Sequence, residues 1–339
     1  MTERENLLRV INGEEPAWVP RVGIISYGRD TEHPPAAANA RSDLFARERL
    51  PDGTSIDMFG VQYEATESTG GAELPLPGKF ILDDITKWRD VIKVPSLEGI
   101  DWEAAAKRMV ENIDRHESAL VMGTHVGYFQ HVMNFMGFEN GLIALMTDPD
   151  EVLELNEYLA NFYDAITANL IDYVKPDIFA ITDDTATAIN PFISQSMYQE
   201  LFKPYHARLA KFATDRDIPI TMHNCGRCEE SIDDWLDFGV NIWNPAQVVN
   251  DLVGIKKKYG NKLILNGCWD SQGPAGWPGA EEEFVRSEVR KCIDTFAPGG
   301  GFCFWASIYG SSSDQRVHDH AWWITDEYNK YGRTFYQKH

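Results

Sequence analysis

From residue 119 onward the chain alternates between short apolar runs and long amphipathic segments, and this rhythm restricts the fold more than any other feature. The runs are ALVMGTHV (119–126), DIFAITDD (177–184), IPITMHN (218–224), VNIWN (240–244), KLILNGCWD (262–270) and GGGFCFWASI (299–308). Between them lie segments of helical period, at 139–174, from about Ser196 to Thr214, at 230–239, near Asp251 to Tyr259, and from about Glu281 to Phe296. Strands that are apolar almost throughout are buried on both faces, as in a parallel sheet covered by helices. With units close to eight in number, the pattern predicts an α/β fold, a single (β/α)8 TIM-type barrel spanning residues 1–339. No G-x-G-x-x-G follows any strand, so an open dinucleotide-binding sheet is the weaker reading.

The first hundred residues read less clearly. A short helix at the N-terminus leads through a Gly/Pro turn to a strand around Val19 to Ile25. From Pro34 to Gly78 the sequence is rich in Ala, Gly, Pro and Thr, which predicts an irregular excursion holding one short strand within Asp57 to Glu67. No low-complexity linker divides the chain.

A formal net charge of −21 argues against nucleic acid as a partner, because a phosphate backbone requires a concentrated positive surface. The polar opening MTERENLLRVINGEEP lacks the apolar core of a secretory signal, and no run approaches the ~18 apolar residues of a membrane span. A cytoplasmic location without membrane contact is the expectation. Five cysteines, an odd number in such a chain, argue for free, catalytic or metal-bound thiols rather than a disulfide framework.

In a barrel of this kind chemistry gathers where strands end. His125, Asp183 and Asp184, His223 and Cys225, Trp243 and Asn244, Cys268 and Asp270, and Trp305 to Tyr309 all occupy such positions. Residues two apart in a strand share a face, so His223 and Cys225 stand side by side and suit zinc. A catalytic zinc needs one more protein ligand: Cys268 is the first choice at the same level, and Cys303, expected deeper, is the second. CGRC also fits a redox dithiol, although such a pair normally opens a helix in a thioredoxin-like unit. Cys228 then belongs to the start of a helix, and Cys292 reads as core. Asp183 and Asp184 point to opposite sides, so one carboxylate, with Asp184 preferred, faces the mouth as a catalytic group that assists the leaving or attacking oxygen, and the other caps the following helix or pairs with a base. His125 reads as a ligand, an acid or a satisfied rim histidine. The aromatic residues Trp305, Tyr309 and Trp243 read either as core or as a flat slot for an aromatic ring.

Across these positions the chain resembles the uroporphyrinogen decarboxylase superfamily and, within it, the corrinoid-dependent methyltransferases. The resemblance is carried by EEPAWVPRV, DMFGVQYE, PGKFILDDITKWRDVIKVPS, GYFQHVMNFMGFENGLIALMTDPDEV, ITDDTATAINPFISQSMYQELFKPYHARL, MHNCG, NIWNPAQ, ILNGCWD, GGGFCFWASIYG and the final YGR. EPAWVPRVGIISYGR holds Arg21 and Arg29 but lacks the arginine-glutamine-alanine-glycine-arginine run of the decarboxylase, which counts against decarboxylation. The resemblance implies a zinc site built on His223 and Cys225, and methyl transfer between a small molecule and the cobalt of a corrinoid on a separate protein. Where the thiol-methylating members carry a late cysteine, this chain has Ser307, which leaves Cys268 or Cys303 as third ligand and favours a methoxylated aromatic donor. A methylcorrinoid:thiol methyltransferase is the alternative. A decarboxylase-like enzyme or a non-catalytic tetrapyrrole-binding module is the third reading. The implied partners are the corrinoid protein, a small methylated substrate and, if the chain assembles, further copies of itself.

Overall fold

The structure, a computed structural model, describes residues 1–23, 27–30, 32–66, 72–124 and 127–338. It opens with helix α1 (Glu3–Ile11), started by a capping box in which Thr2 and Glu5 satisfy each other's backbone N–H groups. Strand β1 (Ala37–Ala40) follows, then four short strands: β2 (Glu48–Arg49), β3 (Ser55–Ile56), β4 (Gln62–Ala65) and β5 (Glu73–Pro75). Helices α2 (Trp88–Val91) and α3 (Trp102–Val110) complete this portion. The alternation then begins with β6 (Ala119–Gly123), α4 (Tyr128–Met136), α5 (Phe138–Thr147), α6 (Pro149–Val174) and β7 (Ile178–Thr182). It continues through α7 (Gln195–Leu201), α8 (Lys203–Thr214), β8 (Ile220–His223), α9 (Ile232–Asp237) and β9 (Val240–Ala246). It ends with α10 (Leu252–Tyr259), β10 (Ile264–Cys268), α11 (Glu282–Phe296), β11 (Phe302–Trp305), α12 (Gln315–Tyr331) and α13 (Phe335–Lys338).

Among the described residues seven strands form one parallel sheet, in the order β1-β6-β7-β8-β9-β10-β11. Its two edges are joined by residues 20–22. Val22 N–H donates to the Phe304 carbonyl (3.0 Å), Phe304 N–H to Pro20 (2.8 Å), and Ala36 N–H to Arg21 (2.7 Å). The strand expected at Val19–Ile25 is therefore a bridge at Arg21, with residues 24–26 outside the described set. The sheet curls around an interior layer of Ala37, Ala119, Ile178, Ile242, Ile264 and Cys303, and Leu7 and Val10 of α1 pack into that layer. Arg4 ties α1 to the start of β7 through both oxygens of Asp177, at 2.6 and 3.1 Å.

The expected irregular excursion is a correction. It contains the sheet strand β1 and a separate antiparallel sheet, β2-β3-β4-β5. Strands of two to four residues carry too little periodicity to be read, and AANA in β1 lacks the bulky apolar side chains that mark a strand.

Candidate metal centre

In register, Thr182 of β7 pairs with His223 of β8, and His223 pairs with Asn244 of β9. Parallel partners share a face, so these three side chains line one interior cavity of about 320 Å³. Two residues beyond Thr182 and His223 come Asp184 and Cys225, on the same face and at the mouth. Asp184, His223 and Cys225 present ligand atoms that all lie within 4.8 Å of one another, each side chain half-buried. His223 Nε2 is 3.7 Å from Cys225 Sγ and 3.9 Å from Asp184 Oδ1. Ligands at ~2.0–2.3 Å from a tetrahedral ion stand ~3.3–3.8 Å apart, so the cluster needs little contraction to hold one.

Each ligand is oriented by a neighbour. His223 Nδ1 donates to Asn244 Oδ1 (2.9 Å), which leaves the Nε2 lone pair facing the sulfur and the carboxylate. The Cys225 N–H donates to Asp184 Oδ1 (2.8 Å), and Gln130 Nε2 donates to Asp184 Oδ2 (3.2 Å). Burial, with the Asp184 charge adding to it, holds the Cys225 thiol well above its usual range. A dication reverses that balance, because it stabilises the thiolate directly.

Asp183 turns the other way, as alternation requires. It has no exposed surface and accepts hydrogen bonds from the Phe129 and Gln130 N–H groups (2.9 and 3.1 Å) at the start of α4, a helix with no side-chain cap of its own. His206 Nε2 lies 3.2 Å from the same carboxylate. Gly127 makes the approach feasible, since a Cβ there would meet Asp183 Oδ1 at 2.8 Å.

Cys268 is not with the triad. Interior and exterior residues alternate along β10 until the register shifts between Leu265 and Gly267, and Cys268 then adopts φ +63°. Ile264 and Asn266 face inward, but the bulge carries Cys268 to the helix side, into a separate cavity of about 290 Å³ with Trp269, Lys291 and Cys292. Cys303 lies in the apolar interior layer, deeper than the rim, as its sequence position implies. The structure thus brings Asp184, and neither cysteine, to His223 and Cys225.

The loop that follows is built around Cys228 rather than around a dithiol. Cys228 is buried with its Sγ 3.6 Å from the Asn224 and Gly226 carbonyls, and it precedes a three-residue 3-10 turn that runs directly into α9, so it stands at the start of a helical segment as expected. All five cysteines are free. Gly226, at φ +88°, passes so close to Ala186 and Thr187 that a Cβ would lie 2.6 Å from both carbonyl oxygens.

Of the expected aromatic slot, Trp305 lines the cavity, its ring held against Gly23. Trp243 does not. It is fully buried on the helix side, donates from Nε1 to the Asn224 carbonyl (3.1 Å) and packs on Trp235, because Ile242 and Asn244 take the inward positions on either side. Tyr309 stacks on Trp277 (4.9 Å, 16°) and is not among the cavity's lining residues. His125 lies outside the described residues. Sequence reading passed over Gln130, Asn266 and Arg41; the same-face spacing of Ala37, Asn39 and Arg41 is the signal that places the last in the cavity.

No helix among the described residues is long and apolar enough to cross a membrane. A methyltransferase from Methanosarcina mazei shares the fold, with a TM-score of 0.57 at 13% identity over 97% of this chain and 99% of that one. A B12-independent methionine synthase from Shewanella sp. W3-18-1, in complex with selenomethionine, aligns at a TM-score of 0.37 and 10% identity over 83% of this chain and 76% of that one. Comparison with curated proteins gave no match. The family model for uroporphyrinogen decarboxylase (URO-D) matches residues 54–306, a span that includes β6 to β11 and all three members of the rim cluster, and the chain belongs to that family.

Proposed function

We propose that this protein is a zinc-assisted methyltransferase that moves a methyl group from a small methoxylated aromatic compound to the cobalt of a corrinoid carried by a separate protein. The observation that carries the reading is the convergence of Asp184, His223 and Cys225 at the mouth of a cavity large enough for one small ring. One imidazole, one thiolate and one carboxylate fit a zinc that keeps an open position, and their two negative charges balance the ion. The Methanosarcina methyltransferase, alike over nearly its full length, supports a barrel suited to this chemistry.

Zinc held by Asp184, His223 and Cys225 would supply a Lewis acid for an ether oxygen, which would make the phenolate a better leaving group. The chain's own residues do the rest. Asn244 holds His223 in the tautomer whose Nε2 is free, and Gln130 holds the outer oxygen of Asp184 so that the inner one points at the cluster. Trp305 offers a ring at the cavity wall for the aromatic substrate. In the transfer the C–O bond breaks, the ether oxygen keeps the electron pair and takes a proton, and the methyl carbon joins reduced cobalt.

The test is to mix the metal-loaded protein with a reduced corrinoid protein and separate methoxylated aromatics, thiols and methylamines, following methylcobalamin by absorbance. Methylation of cobalt from the ethers is expected. Transfer seen only from methylcobalamin to a thiol replaces this reading with the thiol alternative, and no transfer in any arm removes the methyltransferase reading.

A further inference from the structure

Arg41 follows Ala37 and Asn39 at two-residue intervals out of β1, and all three line the cavity beneath the metal cluster. Among the described residues no carboxylate lines this cavity, and among them Arg41 has no ion-pair partner. Arg41 is exposed where the cavity opens, so its guanidinium is accessible to a ligand, in a chain with 52 acidic residues against 31 basic ones where most arginines are paired. A second observation comes from the opposite wall. Asn266 is 6% exposed, faces the same cavity, and its Oδ1 has no hydrogen-bond partner. A buried amide oxygen left unpaired is costly, and a ligand donor would satisfy it.

We infer that Arg41 is the anchor for an acid group on the substrate, and that the cavity takes a small organic acid whose carboxylate lies on the guanidinium. A hydroxyl or N–H of the same molecule donates to Asn266, and the methyl-bearing end lies toward Asp184, His223 and Cys225. The inference rests on the proposed reading for the identity of that methyl-bearing end, but not for the acid group. A guanidinium offers two parallel N–H donors to a carboxylate, and such charge-assisted bonds are roughly twice as strong as neutral ones. The net negative charge of the protein repels anions at long range, so a local cation is what an acidic ligand requires.

The test is calorimetric titration of the metal-loaded protein with a methoxybenzoate and with the matching methoxybenzamide, which has the same shape without the charge. The acid is expected to bind about 10- to 150-fold more tightly than the amide. Arg41→Ala should abolish that preference and Arg41→Lys should retain part of it, with melting temperatures unchanged because Arg41 holds no partner in the fold. A mercaptocarboxylate that binds through Arg41 while the methoxybenzoate does not would support the acid anchor and remove the ether. Equal affinity for acid and amide overturns the acid anchor alone. Failure of every compound to bind overturns both.

Discussion

Cys225 and Cys268 each stand at the end of a strand of the same sheet, yet they belong to regions with opposite characters. Around Cys225 the side chains are polar, half-buried and mutually oriented: His223 by Asn244, Asp184 by Gln130 and by the Cys225 N–H. Around Cys268 no such cluster of ligand atoms forms among the described residues. Cys292 donates its S–H to the Cys268 carbonyl (3.5 Å), and Trp269, Ala275 and Phe296 close the wall. Burial raises both thiols, Cys268 with a further push from Cys292 and a smaller opposing pull from Lys256. Thiol ionisation therefore does not separate the two regions. What separates them is whether other lone pairs converge on the sulfur, and one bulge in β10 settles that.

The sharpest way to break the comparison is to exchange the roles. His223→Ala or Cys225→Ala should take zinc from about one ion per chain to none, whereas Cys268→Ala should keep it, by elemental analysis of protein purified without chelator. Asp184→Ala should behave like the first pair. Retention of zinc in Asp184→Ala with loss in Cys268→Ala would return the third ligand to β10 and show that the bulge does not hold in the metal-bound state.

Next in size is the residue that separates the candidate metal rim from the helical shell behind it. Asp183 is a fully buried carboxylate that fastens the start of α4, and α4 in turn carries Gln130 to Asp184. Removing it leaves two buried amide N–H groups without their acceptor. Asp183→Ala should cost about 3–5 kcal/mol by urea unfolding, and Asp183→Asn less, since one amide oxygen still accepts. A loss below about 1 kcal/mol in Asp183→Ala would mean that the helix start is held by other means.

Much of the rim was readable because parallel strands obey a period of two. His223 with Cys225, and Asp184 opposed to Asp183, follow from that period with no further information. The same rule misplaced Cys268, because Asn-Gly-Cys carries no sequence mark that distinguishes a straight strand end from a bulge and a left-handed residue. Trp243 and Asn244 were both credible rim residues; only the phase of β9, set by Ile242 in the interior layer, assigns Asn244 to the cavity and Trp243 to the helices. Gln130 was out of reach for a different reason. It sits on a helix 54 residues before Asp184, and the contact depends on how α4 is fastened across the sheet. The strand β1 was hidden by its own composition, and Arg41 was hidden with it.

A smaller effect should appear when the orienting groups are removed and the ligands kept. Gln130→Ala and Asn244→Ala should each weaken zinc binding by about 10- to 100-fold, measured by competition with a chromophoric chelator, with little change in unfolding midpoint. Unchanged affinity in both would mean that the rim is ordered by the ion and not by its neighbours, which would bring it closer in character to the Cys268 region.

The smallest effect distinguishes how the two regions meet acid. At the rim, protons would compete with a bound ion for Asp184, His223 and Cys225, so acid should release any metal held there. On the Cys268 side a buried titrating group is His320 of α12, which has no exposed surface and donates from Nε2 to the carbonyl of Ala275, a residue of the same wall (2.6 Å). Its Nδ1 is buried without a partner, so the charged ring would carry an N–H with no acceptor. Burial accordingly lowers the His320 pKa, with the Ala275 bond opposing. For a histidine depressed in the folded state, both states are neutral above the unfolded value of about 6.5, and stability there is at its full level. As pH falls through about 6.5 the unfolded chain takes up a proton that the fold refuses, and stability declines until the folded pKa is reached, by at most ~1.4 kcal/mol per pH unit. In metal-free protein the urea midpoint should therefore drop between about pH 7 and pH 5.5, and His320→Gln, which still offers an N–H to Ala275, should flatten that drop. If the slope is as steep in His320→Gln as in the parent, the acid-sensitive group lies elsewhere in the fold, and the contrast between a rim that loses its ion and a wall that loses stability disappears.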